Sequence, residues 1–507
     1  MKILPIVSAV ALAFTLATQS GSTTGSRERI YSFRYDNILG TSLELKVGAS
    51  SLATAQKAES AVLGEIHREA KILSSWDPDS EVSRWARTHG QRVAVSEDLF
   101  RILSLYDQWQ ERTHGALNAS AQTVIGVWKD AAKADRLPES QQLAAAVQKA
   151  GEKQWTLDPA DRTATRTSDA ALVLASFTKS YIIDRAADAA LQMGVHSVVL
   201  NIGGDLAVRG ALTEAVDIAN PRSPEENAAP LSRIMVHDLA VATSGDYRRG
   251  VEVGGQHYSH IVDPRTGMPA QEIISSTVVA PNPTDAGALA TAFSILTPEE
   301  SARLAASIPG VAYLLVKKNG EQVRSKNWKA LEVAPGPIAA AMAAASPTPA
   351  AGTWDPSMEL TMNFELAPKG GSAKFPFVAA WVEDADRFQI RTIAVWYREG
   401  RYITEMKAWY RSDRVRAMAE GKEIVRSVSS ATRGPGKYSF KWDGKDNEGK
   451  PVKAGKYTVY LEVARELGTY QLMKKEMDFS GKPQEMQFPA NTEVAGASFV
   501  YHKTVAK

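Results

Sequence analysis

A hydroxyl, an imidazole and a carboxylate fall close together at Ser259, His260 and Asp263, directly before a Pro-Arg-Thr-Gly turn at 264–267. Such a group suits removal of a proton from an incoming hydroxyl. Each member also has a plainer use. An isolated histidine commonly does no more than hydrogen-bond its neighbours, and an aspartate in this place commonly caps the turn that follows it. Upstream, Val251, Val253, Tyr258 and Ile261 alternate about Gly254-Gly255 as in a hairpin. Thr243-Ser244-Gly245 reads as a polar turn whose amides and hydroxyls suit a phosphate. A further glycine pair, Gly203-Gly204, sits inside LNIGGDLAVRG, where it permits positive φ and close backbone approach. Asp205 beside it is either a turn residue or a ligand.

The elements that must position these groups alternate between strand and helix from Ser32 to about Val333. Leu43, Leu45 and Val47 form a half-buried strand pattern. Ser50-Ser51 precede Val62, Ile66, Ala70 and Leu73 at helical spacing, which predicts a capped amphipathic helix. A second such helix is predicted from Ser96 to Trp109, strands at 197–200, 207–209 and 277–280, and a helix over 286–295. The pattern is α+β. Between Ala334 and Pro356 the composition turns to Ala, Pro, Gly and Ser, a linker signature. Beyond it the chain is strand-rich with Gly turns, which predicts a β-sandwich in which only Asp413 to Gly421 is helical.

At 507 residues the chain has room for two or three domains. Its net charge of +2, with both signs interspersed, gives no surface for tracking nucleic acid. The absence of cysteine excludes disulfides, thiolate metal sites, thiol nucleophiles and a Cys-linked lipid anchor. Met1-Lys2 and the apolar stretch that follows predict a signal peptide over residues 1–20, and so export to the periplasm with no transmembrane segment in the mature chain.

Taken in order, these blocks resemble the ApbE family of FAD:protein FMN transferases, enzymes that bond FMN through its phosphate to a Thr or Ser of another protein. The resemblance is carried by ATSGDYRRGVEVGGQHYSHIVDPRTGMPA at 242–270, by LNIGGDLAVRG at 200–210, by SSWDPDSEVSR at 74–84, by GALNAS at 115–120 and by Leu39-Gly40-Thr41. It implies a flavin transferase domain over residues 27–335, an Ala/Pro-rich linker over 336–356 and an Ig-like sandwich over 357–507. The last segment looks like a periplasmic domain often joined to ApbE modules. FAD would be the substrate, Mg²⁺ the cofactor, a protein hydroxyl the acceptor and AMP the product. His260 or Asp263 would take the acceptor proton. Leu39, Trp76, Ala116, Leu117, Asn118, Lys179, Ser244, Gly245 and Val262 would bind FAD, and Ser176, Asp285 and Thr291 would hold the metal.

The family pattern is departed from at four places. Leu39 replaces Met, Asn118 replaces Asp, Val173 replaces an acid in LVLASFTKSYIID at 172–184, and Gly287 replaces the metal-binding Asp in TDAGALATA at 284–292. Asp285 would then reach the ion or cap its helix, and capping is the favoured use. In the C-terminal domain RSVSSAT at 426–432 resembles half of the family's acceptor motif, making Thr432 a candidate acceptor in cis, although a polar loop is the plainer reading. The missing acid keeps two alternatives open: a catalytically weakened flavin-binding or self-flavinylated periplasmic electron-transfer protein, and an FAD pyrophosphatase.

Overall fold

A computed structural model describes residues 29–223, 225–245, 250–333, 352–368, 375–397, 400–421, 424, 429–430, 432–466 and 468–504. The expected signal peptide and most of the expected linker lie outside the described residues. The first domain is built on eight antiparallel strands in the spatial order Arg29–Ile38, Thr41–Ala49, Ser197–Ile202, Asp205–Gly210, Ala240–Gly245, Ile273–Ala280, Ala312–Lys317 and Gln322–Arg324. On one face Leu43, Leu45, Val198, Leu200 and Ala207 pack beneath the helices Leu52–Leu73, Glu97–Arg112, Thr178–Leu191 and Pro283–Phe293. On the other, Val199, Leu206, Val208 and Val279 pack beneath Ile234, Val236 and Trp328. Burial on both faces explains why the central strands read as continuous apolar runs.

Local signals set the helix starts. The Ser51 hydroxyl accepts the Thr54 amide at 3.1 Å and the Ser96 hydroxyl accepts the Leu99 amide at 3.2 Å, each satisfying an otherwise orphaned helix donor. The predicted turn at Thr243-Ser244-Gly245 is instead the end of a strand, in register with Ser275, Ser276 and Thr277. The neighbouring strand supplies partners for this polar backbone that local sequence could not announce.

The helix Leu52–Leu73 carries a partly buried charge network. Arg68 contacts Glu65, Glu69 and Asp98, and the Tyr181 hydroxyl donates to Asp98 at 2.9 Å. Glu69 is fully buried, and its Oε2 finds no hydrogen-bond partner among the described residues. Burial, helped by the Asp98 charge, raises the Glu69 pKa above the usual carboxylate range. Below that range the group is protonated in both folded and unfolded chains. As pH rises past it, the unfolded chain gives up the proton first, so this group's contribution to stability falls until the folded carboxyl ionises. Each unit of separation is about 1.4 kcal/mol. Glu69→Gln is therefore expected to gain melting temperature relative to wild type between pH 5 and pH 8.5. An identical difference at both pH values would remove this account.

The second domain is a sandwich. A four-stranded sheet ordered Gly436–Trp442, Met358–Leu366, Val494–Lys503, Gln484–Phe488 faces a five-stranded sheet of Ser429–Ser430, Gln389–Trp396, Phe377–Glu383, Lys456–Ala464 and Tyr470–Asp478. Between them lie Leu360, Phe364, Trp396, Phe440, Trp442 and Phe479. The helix expected at 413–421 spans Lys407–Glu420. Its start is set from a distant strand: both Glu462 carboxylate oxygens accept its first amides, Ala408 at 2.9 Å and Trp409 at 2.8 Å. The edge strand Gly436–Trp442 is covered by the first domain. Glu226 donates its amide to the Ser439 carbonyl at 2.9 Å, and the Asn227 side chain bonds both backbone groups of Lys441, at 2.7 and 2.8 Å. An otherwise open sheet edge is thereby closed. Among the described residues no helix is long and apolar enough to cross a membrane.

Candidate functional site

The glycine-bearing turns gather at one end of the large sheet. Leu39 and Gly40 both have positive φ, 49° and 76°, and close the first hairpin; Gly203 and Gly204, at 58° and 94°, close the third and fourth strands. The two turns nest. A Cβ on Gly203 would lie 2.6 Å from Thr41 Cγ2, so only glycine lets the second turn approach the first. The register of the fifth strand brings Ser244 and Gly245 to this same end. Lys179, in the first turn of the Thr178–Leu191 helix, reaches over it, with Nζ 3.3 Å from Asp205 Oδ2.

The hairpin Gly250–Val253 and Gln256–Ser259 turns through Gly254 and Gly255, both at positive φ as their sequence predicted. It packs through Val253, Tyr258 and Val262 onto Val124 and Trp128 of the Ala121–Lys133 helix. Val262 therefore points into this small core, and its side chain is not available to a flavin. The turn that follows is anchored where Trp128 Nε1 donates to the Gly267 carbonyl at 2.8 Å. Asp263 is committed to the turn. Its carboxylate accepts Arg265 Nε at 2.9 Å, Arg265 Nη2 at 2.8 Å and the Arg265 amide at 2.9 Å. A carboxylate whose oxygens are taken by a guanidinium and an amide is tied up in holding the turn. His260, the other candidate base, is half-buried. Arg265, which makes these bonds, went unnoticed in the sequence because any residue fits the x of an Asp-Pro-x-Thr-Gly turn.

Trp76 is 83% exposed, on a loop, beside a cavity of ≈ 330 Å³ lined also by Pro78, Val82, Arg87, Leu172 and Leu174. A core role is excluded, and the ring is free to stack on a planar ligand. Between the lining residues Leu172 and Leu174, the Val173 amide donates to the Ala119 carbonyl of the GALNAS segment at 2.7 Å. In that segment Ala116, Leu117 and Asn118 are buried. Asn118 is used internally: Nδ2 donates to the Ala150 carbonyl at 3.1 Å while Oδ1 accepts the Ser120 amide at 2.8 Å. Asparagine suits this place because an aspartate has no donor for Ala150. Its side chain tethers the segment. Across the loop, a Cβ on Gly115 would contact Arg265 Cγ at 3.6 Å, so the GALNAS and Pro-Arg-Thr-Gly blocks adjoin.

Of the expected metal ligands, Thr291 and Ser176 come together: the Thr291 hydroxyl donates to the Ser176 carbonyl at 2.9 Å. The Ser176 amide is itself held by the Tyr106 hydroxyl at 3.2 Å. Asp285 does not join them. Asn282 is the cap of the Pro283–Phe293 helix, and Asp285 exchanges two bonds with it, each at 2.8 Å, amide to Oδ1 and Nδ2 to carboxylate. The two meeting oxygens fit a hard cation, but both are neutral, so the donor set lacks its acid. Thr432 is 5% exposed. Arg426 to Val428 and Ala431 lie outside the described residues.

A family model described as the ApbE family matches residues 39–315, more than half of the chain. The chain belongs to the ApbE family. A second model, "Predicted periplasmic protein (DUF2271)", matches residues 359–496. The FAD:protein FMN transferase of Haemophilus influenzae is 26% identical over 341 residues, covering 64% of this chain and 96% of that protein. The Klebsiella pneumoniae enzyme of the same name is 27% identical, covering 57% and 85%. Among solved structures, the ApbE protein of Thermotoga maritima superposes with a TM-score of 0.53 at 26% identity, over 60% of this chain and all of that one. The ApbE match takes in every block from Leu39 to Thr291. Against the ApbE pattern, a further exchange was visible in the sequence: Ser180 stands in LVLASFTKSYIID where the family has the Gly of K-G-Y. Its partner across the site was not visible there.

Proposed function

We propose that this protein transfers FMN from FAD to a Thr or Ser hydroxyl of another exported protein, releasing AMP. The observation that supports this is the set of contacts linking segments scattered from Leu39 to Thr291: Gly203 against Thr41, Gly115 against Arg265, Val173 to Ala119 and Thr291 to Ser176. To these segments we assign a stacking ring at Trp76, a cation at Lys179 and a proton acceptor at His260. In the reaction the acceptor Oγ bonds to the FMN-side phosphorus, the bond from that phosphorus to the AMP phosphate breaks, and the hydroxyl proton passes to His260. Trp76 and the GALNAS backbone hold FAD, Lys179 faces phosphate as a point charge, and Arg265, bonded to the Asp263 carboxylate, keeps the turn carrying His260 rigid. Mg²⁺, where bound, neutralises pyrophosphate charge; the Ser176 carbonyl and Thr291 hydroxyl are the oxygens that would face it. The match to a predicted periplasmic domain supports an acceptor outside the cytoplasm.

The test is to give the purified protein FAD, Mg²⁺ and a flavinylatable target protein. AMP release with a target heavier by one FMN is the expected outcome. AMP with free FMN would show hydrolysis instead, and unchanged FAD would overturn both. The intact mass of the protein in the same reaction reports on Thr432, which is expected to remain unmodified.

A further inference from the structure

The helices Thr178–Leu191 and Pro283–Phe293 run antiparallel across the site, with Thr291 against Ser176 and Thr284 against Asp184. Between these contacts lies Gly287, where the family's metal-binding acid is missing. A Cβ built there would stand 2.2 Å from Ser180 Oγ and 2.8 Å from Ser180 Cβ. No real side chain tolerates that, so Ser180 already fills the space in which the acid would begin. Ser180 is 1% exposed, and its hydroxyl donates to Asp205 Oδ2 at 2.8 Å. Asp205 is itself 8% exposed, and Lys179 is its counter-charge.

We infer that Ser180 and Asp205 together replace the missing acid, and that Ser180 and Gly287 are a matched pair. This deepens the transferase reading and rests on it. The only proton on Ser180 Oγ is given to Asp205, so the oxygen keeps its lone pairs for a cation. A hydroxyl bonded to a carboxylate is a better donor to a hard cation than a hydroxyl alone, and the carboxylate brings its negative charge one bond away from the ligand atom. The three oxygens presented to Mg²⁺ beside the pyrophosphate are then Ser180 Oγ, Thr291 Oγ1 and the Ser176 carbonyl. Asp205 supplies charge without direct ligation.

Mn²⁺ serves as the probe, its binding to the full protein in the presence of ADP followed by electron paramagnetic resonance, with melting curves as the check on folding. Ser180→Ala and Asp205→Asn are each expected to weaken Mn²⁺ binding tenfold or more with little change in melting. Gly287→Asp alone is expected to lower the melting temperature, and Ser180→Gly with Gly287→Asp to restore it and bind Mn²⁺ at least as tightly as wild type. Wild-type affinity in both Ser180→Ala and Asp205→Asn would overturn the inference, as would a wild-type protein that binds no Mn²⁺ beyond what ADP itself takes. If the wild type moves no FMN while these two variants still lose Mn²⁺, the inference stands and the transferase reading fails, which keeps the two separable.

Discussion

Replacing His260 with Ala is expected to slow FMN transfer by roughly 10²–10⁴-fold, the usual contribution of a positioned general base, while FAD affinity stays within a few-fold of wild type. The argument rests on the competition within the histidine-aspartate pair. Asp263 accepts two guanidinium N–H groups and an amide from Arg265, so its oxygens are already occupied and its negative charge is compensated. It also holds the turn through its backbone, whose carbonyl accepts the Gly267 amide at 2.8 Å. Asp263→Asn should therefore act chiefly on structure, lowering the melting temperature and reducing transfer less than His260→Ala. Single-turnover rates and melting curves of the two variants decide the matter. An Asp263→Asn protein with unchanged melting and the larger rate loss would move the base to the aspartate.

Trp76→Ala is expected to weaken FAD binding by one to two orders of magnitude, because stacking of a base on an aromatic side chain is worth about 1–3 kcal/mol. The same substitution should leave the melting temperature nearly unchanged, since a ring that is 83% exposed contributes little burial to the fold. Trp76→Tyr should recover most of the affinity by restoring a ring face. Fluorescence titration of FAD into the three proteins is the measurement, and equal dissociation constants for wild type and Trp76→Ala would remove Trp76 from the site.

Local features of the sequence foretold local features of the structure. Ser51 and Ser96 cap the helices they were expected to start, and the Gly-Gly pairs close the hairpins they were expected to close. Asp285, for which capping was favoured, is not the cap: Asn282 is, and Asp285 lies in the first turn bonded to it. Each of these depends on residues a few positions apart, whose backbone preferences and short hydrogen bonds are settled within a turn of chain. Family and order of blocks were legible for the same reason, since motifs are contiguous strings.

What depended on residues far apart in the chain was decided by the tertiary structure. The helix at Lys407–Glu420 begins early because Glu462 caps it from another strand. Thr243-Ser244-Gly245 is a strand because Ser275 to Thr277 pair with it. In the Ser-His-Asp group that the sequence offered as one unit, Asp263 is tied to the turn by Arg265. Gly287, which by sequence alone is only a lost acid, is in three dimensions a position closed by Ser180 and backed by Asp205. Sequence determines which chemical groups exist and how neighbours along the chain fold. Whether a group is spent on its surroundings or left for a substrate is set by helix packing and strand register, which bring together residues about a hundred positions apart.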